Sequence, residues 1–402
     1  MTVLNKINEK GFFSYQHGFG AIDSWLGQNP INNKETNSPV FILTNADTTD
    51  LAKIFINLRF PGVDLADAAV EENGHTWYFR CLNSIEENKP SFTLLDFYRD
   101  CKANAFYVPG GIHPLLKQFK HNLYKTSFDK KPNEEMNPLQ IIKETLNPDT
   151  EHTHQLMDAA LILAKYFDTD ELQIKKIAAF FQTRQNSLTP VPNQEKQRVF
   201  LSELITSVNP GLGLELLKTS GFIKKFWPEL AALDEADHSK DFHPEGNAWE
   251  HTMETFRHRK PGASGTYDLT LSLGLLLHDS GKPAATRTGT KRYDGHAQLG
   301  EIQAQRLLER LGYDHSMILD ICFLVRQHML PAALPRLPLF RTEQIMSSPL
   351  FPLLMELYRC DESSSFKGPD GYYESSAVYQ QFLRNRRNPY RTADGKKLDR
   401  KG

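Results

Sequence analysis

The sequence has few cysteines, almost no net charge and no long hydrophobic run, and each shortage excludes a class of protein. Four cysteines among 402 residues, none of them in a CxxC pair, exclude a disulfide framework and a zinc ribbon. Because 47 Lys and Arg stand against 49 Asp and Glu, no chain-wide positive field attracts nucleic acid. No run reaches about 18 apolar residues, and the N-terminus lacks the apolar core of a signal peptide. We therefore expect a cytoplasmic protein without a membrane span.

What the sequence does contain is a change of pattern near residue 137. Between residues 38 and 110, apolar runs such as SPVFILTN alternate with helix-like segments such as TTDLAKIFINL, which is typical of mixed α/β structure. From about Asn137 onward, apolar residues recur at three- and four-residue spacing, as in HQLMDAALILAKYF. The sequence therefore predicts an α+β, mainly helical fold, with a mixed α/β domain first and helical domains after it.

Histidine is concentrated in one part of the helical region. Eight of the 14 histidines lie between residues 238 and 328. Several of them follow or open apolar helical runs, as in LSLGLLLHDSGKP and LDICFLVRQHMLP, and helices packed in a core would hold such side chains rigidly, as a metal site requires. The candidate metal ligands are His251, His278, Asp279, His296, His328 and Asp361.

The chemistry of these side chains favours a divalent ion. Neutral imidazole suits Mn, Fe, Co, Ni or Zn, and a carboxylate can bridge two ions, so we expect one or two ions of these metals or of Mg. Lys282 is close enough in sequence to bind a substrate phosphate or to pair with a site carboxylate. Bound ions lower the pKa of a coordinated water and polarise a phosphoryl oxygen, which is what phosphoester hydrolysis requires. The alternative is a set of buried histidines that only make hydrogen bonds.

Four other histidines of the same region have no such partners in the sequence. We expect these four to lie at the surface or beside the site: His238, His243, His258 and His315.

The order of the candidate ligands resembles a known signature. His251, the His278-Asp279 pair and Asp361 are similar to the H…HD…D pattern of the HD-domain phosphohydrolases. The additional His296 and His328 resemble the subset of that superfamily that holds two metals. This resemblance implies an all-α domain with a metal-dependent phosphatase or phosphodiesterase site.

A second resemblance covers roughly residues 196 to 370. The segments NPGLGLELLKTSGFIKKFWPELAALDEADHSKDFHPEGNAWEHTMETF, LLLHDSGKPAATR and FLVRQHMLP resemble the C-terminal half of bacterial tRNA nucleotidyltransferases, the CCA-adding enzymes of the poly(A) polymerase family. This resemblance implies a nucleotidyltransferase-like head at residues 1–130 and a helical neck at 131–237. It also implies an HD domain at 238–383, before a basic tail at 384–402.

The head departs from that family at its chemical positions. Apolar side chains stand where the family has its metal-binding Asp-x-Asp pair, and apolar side chains cannot bind Mg²⁺, which takes oxygen ligands. The glycine pair of the loop is interrupted, and the Arg-Asp pair before the strand is replaced although the strand pattern is kept. The neck helix keeps its apolar spacing but lacks the family's arginines. The residues at these positions are Phe19 and Ile22 in the loop HGFGAIDSWLG, Val40 and Ile42 in VFILTNAD, Pro90 and Ser91 before the strand, and Asp158 and Leu161 in the neck.

Other acidic residues of the head form pairs at i, i+3 spacing, which suits one face of a helix rather than a strand. Asp47 and Asp50 favour a helix N-cap, and Asp64 and Asp67 favour a loop, over a displaced polymerase site. The last stretch, from Arg384, is rich in Lys and Arg; it is interpreted either as a solvated tail or as a contact with RNA phosphates.

These patterns lead to one main functional hypothesis and two alternatives. The main hypothesis is a metal-dependent phosphohydrolase acting on a nucleotide or an RNA-derived phosphoester, with His278, Asp279 and Lys282 as catalytic residues and with nucleotidyl transfer lost. The first alternative is a CCA-adding tRNA nucleotidyltransferase, and the second is a non-catalytic RNA-binding or regulatory protein. All three leave tRNA as a possible partner.

Overall fold

The structure is a computed structural model that describes most of the chain. The described residues are 2–25, 39–81, 98–107, 138–146, 151–182, 188–236, 246–262, 268–288, 292–365, 368–388, 392 and 394–396. Two compact units are distinguished. Unit 1 comprises Met1–Ser220 with Pro261–Thr266, and unit 2 comprises Gly221–Lys260 with Tyr267–Gly402. The finer division into head, neck, HD domain and tail stays a prediction.

Unit 1 begins with a six-stranded sheet in the order β3-β4-β2-β1-β5-β6. Its strands are β1 (Tyr15–His17), β2 (Val40–Thr44), β3 (Ala68–Glu72), β4 (His75–Cys81), β5 (Tyr98–Asp100) and β6 (Ala105–Tyr107), and its helices are α1 (Val3–Glu9), α2 (Phe19–Trp25) and α3 (Thr48–Ile54). Strand β2 runs parallel to β4 and antiparallel to β1. The mixed α/β character predicted for this part of the sequence is confirmed.

The two faces of β2 pack into different cores. Val40 and Ile42, each 1% exposed, join a cluster that includes Val3 and Ile7 of α1 and Leu51 of α3. The alternate side chain Phe41 packs against a second cluster on the opposite face. Alternation of side chains along a strand accounts for this division, since period two sends neighbours to opposite faces.

The second half of unit 1 is helical. Its helices are α4 (Pro138–Thr145), α5 (His152–Tyr166), α6 (Glu171–Gln182), α7 (Gln194–Ile205) and α8 (Pro210–Thr219). Helix α5 is held to the head by Asp23 of α2, which accepts hydrogen bonds from Lys165 Nζ at 2.7 Å and from Tyr166 Oη at 2.8 Å. Helix α7 is held by Glu195, which Arg59 and Tyr78 contact. Polar side chains therefore fix the helices against the sheet.

Unit 2 is almost wholly helical. Its helices are α9 (Phe222–Phe226), α10 (Pro228–Ala231), α11 (Ala248–Arg257), α12 (Leu269–Leu277), α13 (His296–Arg310), α14 (His315–Gln327), α15 (Leu330–Ala333), α16 (Leu339–Met346), α17 (Phe351–Ser363) and α18 (Asp370–Arg387), with short 3₁₀ turns at Ala232–Glu235, Lys282–Ala284 and Leu334–Arg336. One two-stranded hairpin, β7 (Thr286–Thr288) with β8 (Arg292–Asp294), is added to the helices that the sequence predicts.

Helix α12 lies in the middle of unit 2 because it has no polar face. Every residue from Leu271 to Leu277 is buried. A Cβ at Gly274 would lie 3.0 Å from Leu324 of α14 and 3.1 Å from Leu357 of α17, so the absence of a side chain allows both helices to approach closely. This packing fixes the C-terminal end of α12, where the His-Asp pair follows.

Among the described residues, one helical stretch is long and apolar enough to cross a membrane by length and composition alone. It is His315–Arg336, and 44% of its apolar window is buried inside the protein. Core helices of soluble proteins meet the same criterion, so this stretch is weak evidence for a membrane span.

Candidate metal centre

Unit 2 brings all six predicted ligands together, from positions within helices, at helix ends and in one turn. His278 is the C-cap of α12 with Asp279 directly after it, and His328 is the C-cap of α14. His296 is the first residue of α13, while His251 and Asp361 lie within α11 and α17. The rings of neighbouring histidines lie 4.9 to 5.5 Å apart between centroids.

Backbone carbonyls fix the tautomer of three of the four imidazoles. Nδ1 lies 2.7 Å from the Leu275 carbonyl oxygen in His278 and 2.7 Å from that of Tyr293 in His296. In His328 the distance to the Val325 carbonyl oxygen is 2.6 Å. A carbonyl can only accept, so each Nδ1 carries a proton and each neutral ring keeps its lone pair on Nε2. Nε2 is therefore the atom that each ring offers to an ion.

The Nε2 atoms of His296 and His328 lie 3.0 Å apart. Burial lowers the pKa of His296, and burial together with His278 lowers that of His328 to about 4, so both rings are neutral at pH 7. Two lone pairs at this distance repel each other unless a cation lies between them. A cation held by both lone pairs would remove this repulsion, and imidazole nitrogens are common metal ligands.

Asp279 links the two halves of the cluster. Its Oδ2 lies 3.4 Å from Nε2 of His278 and 3.9 Å from Nε2 of His251. Its Oδ1 lies 3.7 Å from Nε2 of His296 and 3.9 Å from Nε2 of His328. Two groups of ligand atoms result, each with all atoms within 4.8 Å of one another: His251 with His278 and Asp279, and Asp279 with His296 and His328. Asp279 thus belongs to both groups.

Lys282 and the carboxylates complete the charges of the centre. Lys282 Nζ lies 2.5 Å from Asp279 Oδ2. Burial alone would raise the pKa of Asp279, but Lys282 and the neighbouring histidines outweigh it and hold that pKa well below its ordinary value. Burial is likewise outweighed at Asp361, where the hydrogen bond with His251 lowers the pKa of the carboxyl. Both carboxylates are therefore ionised at pH 7.

A divalent ion fits this donor set. The centre supplies four imidazole nitrogens and two carboxylates, the ligands that borderline divalent metals prefer. Nε2 of His278 is buried and has no hydrogen-bond partner among the described residues, which a metal bond would satisfy. The histidines that the sequence sets apart from the ligands lie elsewhere: His258 is half-buried and its Nε2 lies 3.7 Å from Glu254, His315 is exposed, and His238 and His243 lie outside the described residues.

The head has no carboxylate at positions 40 and 42, where the resemblance places the metal-binding Asp-x-Asp pair. Val40 and Ile42 are buried in its core, and Ile22 is fully buried on α2. The helix N-cap predicted for NADTTDL is confirmed, because Asp47 caps α3 by accepting the N–H of Asp50 at 2.8 Å. Asp64 and Asp67 lie in the loop before β3, as predicted. Pro90 and Ser91 lie outside the described residues.

Two of the residues that support the ligands, Ser364 and Gly300, are absent from the sequence-based prediction. Ser364 lies 3.3 Å from Nδ1 of His251 through its Oγ. Gly281 and Gly300 allow the turn after Asp279 to lie directly against α13, since a Cβ at Gly281 would overlap the backbone of His296 and Gly300. The only sequence signal for these residues is their small size, which is common to many surface turns.

Comparison with known proteins gives several partial matches, although no family model matches the chain. A CC-adding tRNA nucleotidyltransferase of Thermus thermophilus is 32% identical over 159 residues, which is 38% of this chain and 35% of that protein. A multifunctional CCA protein of Halorhodospira halophila is 33% identical over 100 residues, or 24% of this chain and 23% of that protein. The matches thus span about a third or less of these relatives' lengths.

Solved structures give a weaker likeness. A CCA-adding enzyme of Bacillus stearothermophilus in complex with CTP has a TM-score of 0.44 and 13% identity, with 95% of this chain and 81% of that chain covered. This value is too low to support an argument about function.

These comparisons correct the main functional hypothesis. One of these relatives is named a CC-adding tRNA nucleotidyltransferase and the other a multifunctional CCA protein. The expectation of a phosphohydrolase that has lost nucleotidyl transfer is therefore wrong, and the CCA-adding alternative is better supported. The hydrolase class and the statement that transfer is unlikely are wrong on the same finding. The error came from inferring lost activity from departures at a few chemical positions, among them Val40 and Ile42.

The resemblance of residues 196 to 370 to tRNA nucleotidyltransferases agrees with these matches. The resemblance to HD-domain phosphohydrolases is not shown by them. Over the stretches that match, the chain is homologous to the CCA-adding tRNA nucleotidyltransferases of the poly(A) polymerase family.

Proposed function

We propose that this protein is a tRNA nucleotidyltransferase that adds C or A nucleotides to the 3′ end of tRNA. The observation that carries the proposal is the 32% identity over 159 residues to the CC-adding enzyme of Thermus thermophilus. A further partial match, to a Deinococcus radiodurans protein named as an A-adding tRNA nucleotidyltransferase, is 30% identical over 152 residues and supports the same substrate class. The substrates would then be CTP or ATP and a tRNA with an incomplete 3′ end.

The proposed reaction sets a requirement for the head. The 3′-hydroxyl of the RNA would lose its proton and attack the α-phosphorus of the nucleotide while pyrophosphate leaves. Oxygen-bound Mg²⁺ would supply the positive charge that this step requires. Val40 and Ile42 are buried and carry no oxygen ligand, so other carboxylates would have to hold the ions. The proposal also includes domain boundaries at residues 130, 237 and 383 and a cytoplasmic location.

We also propose that the six side chains of unit 2 hold one or two divalent ions, as the resemblance to HD domains implies. His251, His278 and Asp279 would hold one ion, and Asp279, His296 and His328 a second. Asp361 lies 3.8 Å from His278 Nε2 and would complete the first group. Bound ions would supply positive charge that attracts a phosphate group. Lys282, paired with Asp279, would contribute a further positive charge at the same place.

The test is incorporation of labelled CTP and of labelled ATP into tRNA lacking its CCA end, or lacking only the terminal A. The proposal predicts Mg²⁺-dependent extension by one to three nucleotides, with the Thermus thermophilus CC-adding enzyme as the positive control. Binding of tRNA without extension of either substrate, by protein that is folded and metal-loaded, would overturn the proposed reaction.

A further inference from the structure

His251 differs from the other three histidines of the centre in the partner of its Nδ1 atom. His278, His296 and His328 each direct Nδ1 at a backbone carbonyl. His251 instead has Nδ1 3.3 Å from the hydroxyl oxygen of Ser364, a buried residue at the C-cap of α17. The difference follows from position, because His251 lies inside α11, whereas His278 and His328 are C-caps of their helices and His296 opens α13.

A hydroxyl and a carbonyl have different consequences for the ring. A carbonyl accepts only, so it fixes the proton on Nδ1, whereas a hydroxyl both donates and accepts. The Ser364 hydroxyl has two partners available: Nδ1 of His251, and the Asp361 carbonyl oxygen at 2.6 Å. Its proton can point to either one, and the ring can therefore adopt either neutral tautomer without losing the contact with Ser364.

The opposite side of the ring shows why both tautomers are needed. Nε2 of His251 lies 2.8 Å from Oδ1 of Asp361. Without an ion, Nε2–H donates to this carboxylate, and Ser364 donates to the bare Nδ1. Binding of an ion through Nε2 would require the Nε2 proton to leave, and a proton would then have to be held on Nδ1. Nδ1–H would donate to the Ser364 oxygen. The Ser364 hydroxyl would in turn donate to the Asp361 carbonyl oxygen.

We propose that Ser364 is a positioning residue that lets His251 exchange tautomers when the centre takes up a metal ion. The proposal rests on the metal centre described under the proposed function. The exchange is proton-neutral at His251, since solvent accepts the proton from Nε2 and returns one to Nδ1. Ser364 thus acts on the metal through His251 and touches neither the ion nor a substrate.

The first test compares metal affinities of the full chain. Mn²⁺ is titrated calorimetrically into metal-stripped wild type, Ser364→Ala, Ser364→Thr and Ser365→Ala. Ser365 is the matched control, because its hydroxyl donates to the Glu362 carbonyl at 2.8 Å, the same i−3 bond that Ser364 makes to Asp361, without a described contact to a ligand. We expect Ser364→Ala to bind roughly 10- to 100-fold more weakly, with wild-type affinity in Ser365→Ala and recovery in Ser364→Thr.

The second test reads the tautomer directly and needs no Ser364 variant. Nitrogen-15 spectra of histidine-labelled wild type are recorded before and after Zn²⁺, with the His251 signal assigned from its loss in His251→Gln. The proposal predicts a change from an Nε2–H ring to an Nδ1–H ring on metal binding. An Nδ1–H ring in both states, or equal affinities of Ser364→Ala and Ser365→Ala, overturns it. Failure of wild type to bind any ion would instead overturn the metal centre itself.

Discussion

His296 and His328 direct the Nε2 atoms of their rings at each other across 3.0 Å, while the Nδ1 atom of each ring lies within 2.7 Å of a backbone carbonyl. Neither ring can turn its proton inward without losing that carbonyl bond. The two inward lone pairs, with the ionised Asp279 3.7 to 3.9 Å away, form a pocket of negative potential that a cation would neutralise. The arrangement is therefore organised around a positive charge.

Divalent metal is expected to raise the melting temperature. An ion that binds the folded state but not the unfolded chain stabilises the folded state by about 2.7 kcal/mol at a free concentration 100 times its dissociation constant. Differential scanning fluorimetry of metal-stripped protein with and without Mn²⁺ or Co²⁺ checks this. Addition of excess chelator should reverse the gain, and an unchanged midpoint with every divalent ion would contradict it.

Gly281→Ala is expected to damage both stability and metal binding. The backbone angles of Gly281, φ −86° and ψ −12°, suit any residue, so the difficulty is steric: its Cβ would overlap backbone atoms of α13. Backbone that must shift to make room costs roughly 1–3 kcal/mol, and the shift would separate Asp279 from His296. Urea unfolding and metal titration measure the two effects. Gly20→Ala is the control, since its Cβ would meet Gln16 at an ordinary 3.5 Å.

Glu195→Ala is expected to loosen α7 from the sheet of unit 1. Glu195 accepts a hydrogen bond from Tyr78 Oη at 2.7 Å and pairs with Arg59, and burial and this bond raise the pKa of Tyr78 to about 12. Loss of hydrogen bonds to a charged partner should lower the free energy of unfolding by roughly 1–3 kcal/mol. Glu171→Ala, which removes the exposed pair with Lys175, should leave the free energy of unfolding nearly unchanged. Equal losses of unfolding free energy in the two variants would show that the contacts of Glu195 with Arg59 and Tyr78 do not stabilise the fold.

Asp158→Asn is expected to stabilise the protein at neutral pH but not at pH 4. Burial raises the pKa of Asp158 from 3.8 to about 7 in the folded state. Between these values the unfolded chain ionises while the folded one stays protonated, so wild type loses stability as the pH rises from about 4 to 7. The loss is roughly 4 kcal/mol, and the uncharged variant avoids it. Unfolding free energies at pH 4 and 7.5 test this; an equal difference at both would contradict it.

The sequence predicts which six side chains lie close together in the centre, and it does not predict most of the contacts that support them. His278 and Asp279 follow a run of leucines, and a helix of that composition has to be buried, so its end presents the pair to a core. The tautomers depend on carbonyls three residues earlier and on Ser364, whose approach to His251 spans 113 positions in the chain. Contacts of that range follow from helix packing and leave no local pattern.

Function was predicted less well than structure for a related reason. Val40 and Ile42 are apolar because α1 and α3 pack on their face of β2, and this explains the missing carboxylates at two positions only. Similarity spread over longer stretches reports the substrate class better than those two positions do. The motif in unit 2, read alone, indicated a metal site but named the wrong reaction class for the protein.

The most direct test of the metal centre is a count of bound ions. Metal-stripped protein is loaded with Mn²⁺ or Co²⁺, freed of excess metal, and measured by inductively coupled plasma mass spectrometry. The structure predicts up to two ions per wild-type chain, one ion after His251→Ala or His296→Ala, and little or none after Asp279→Asn, because Asp279 belongs to both groups. Wild type that is folded by circular dichroism yet retains no ion, or Asp279→Asn that retains as many as wild type, would contradict the assignment of the centre.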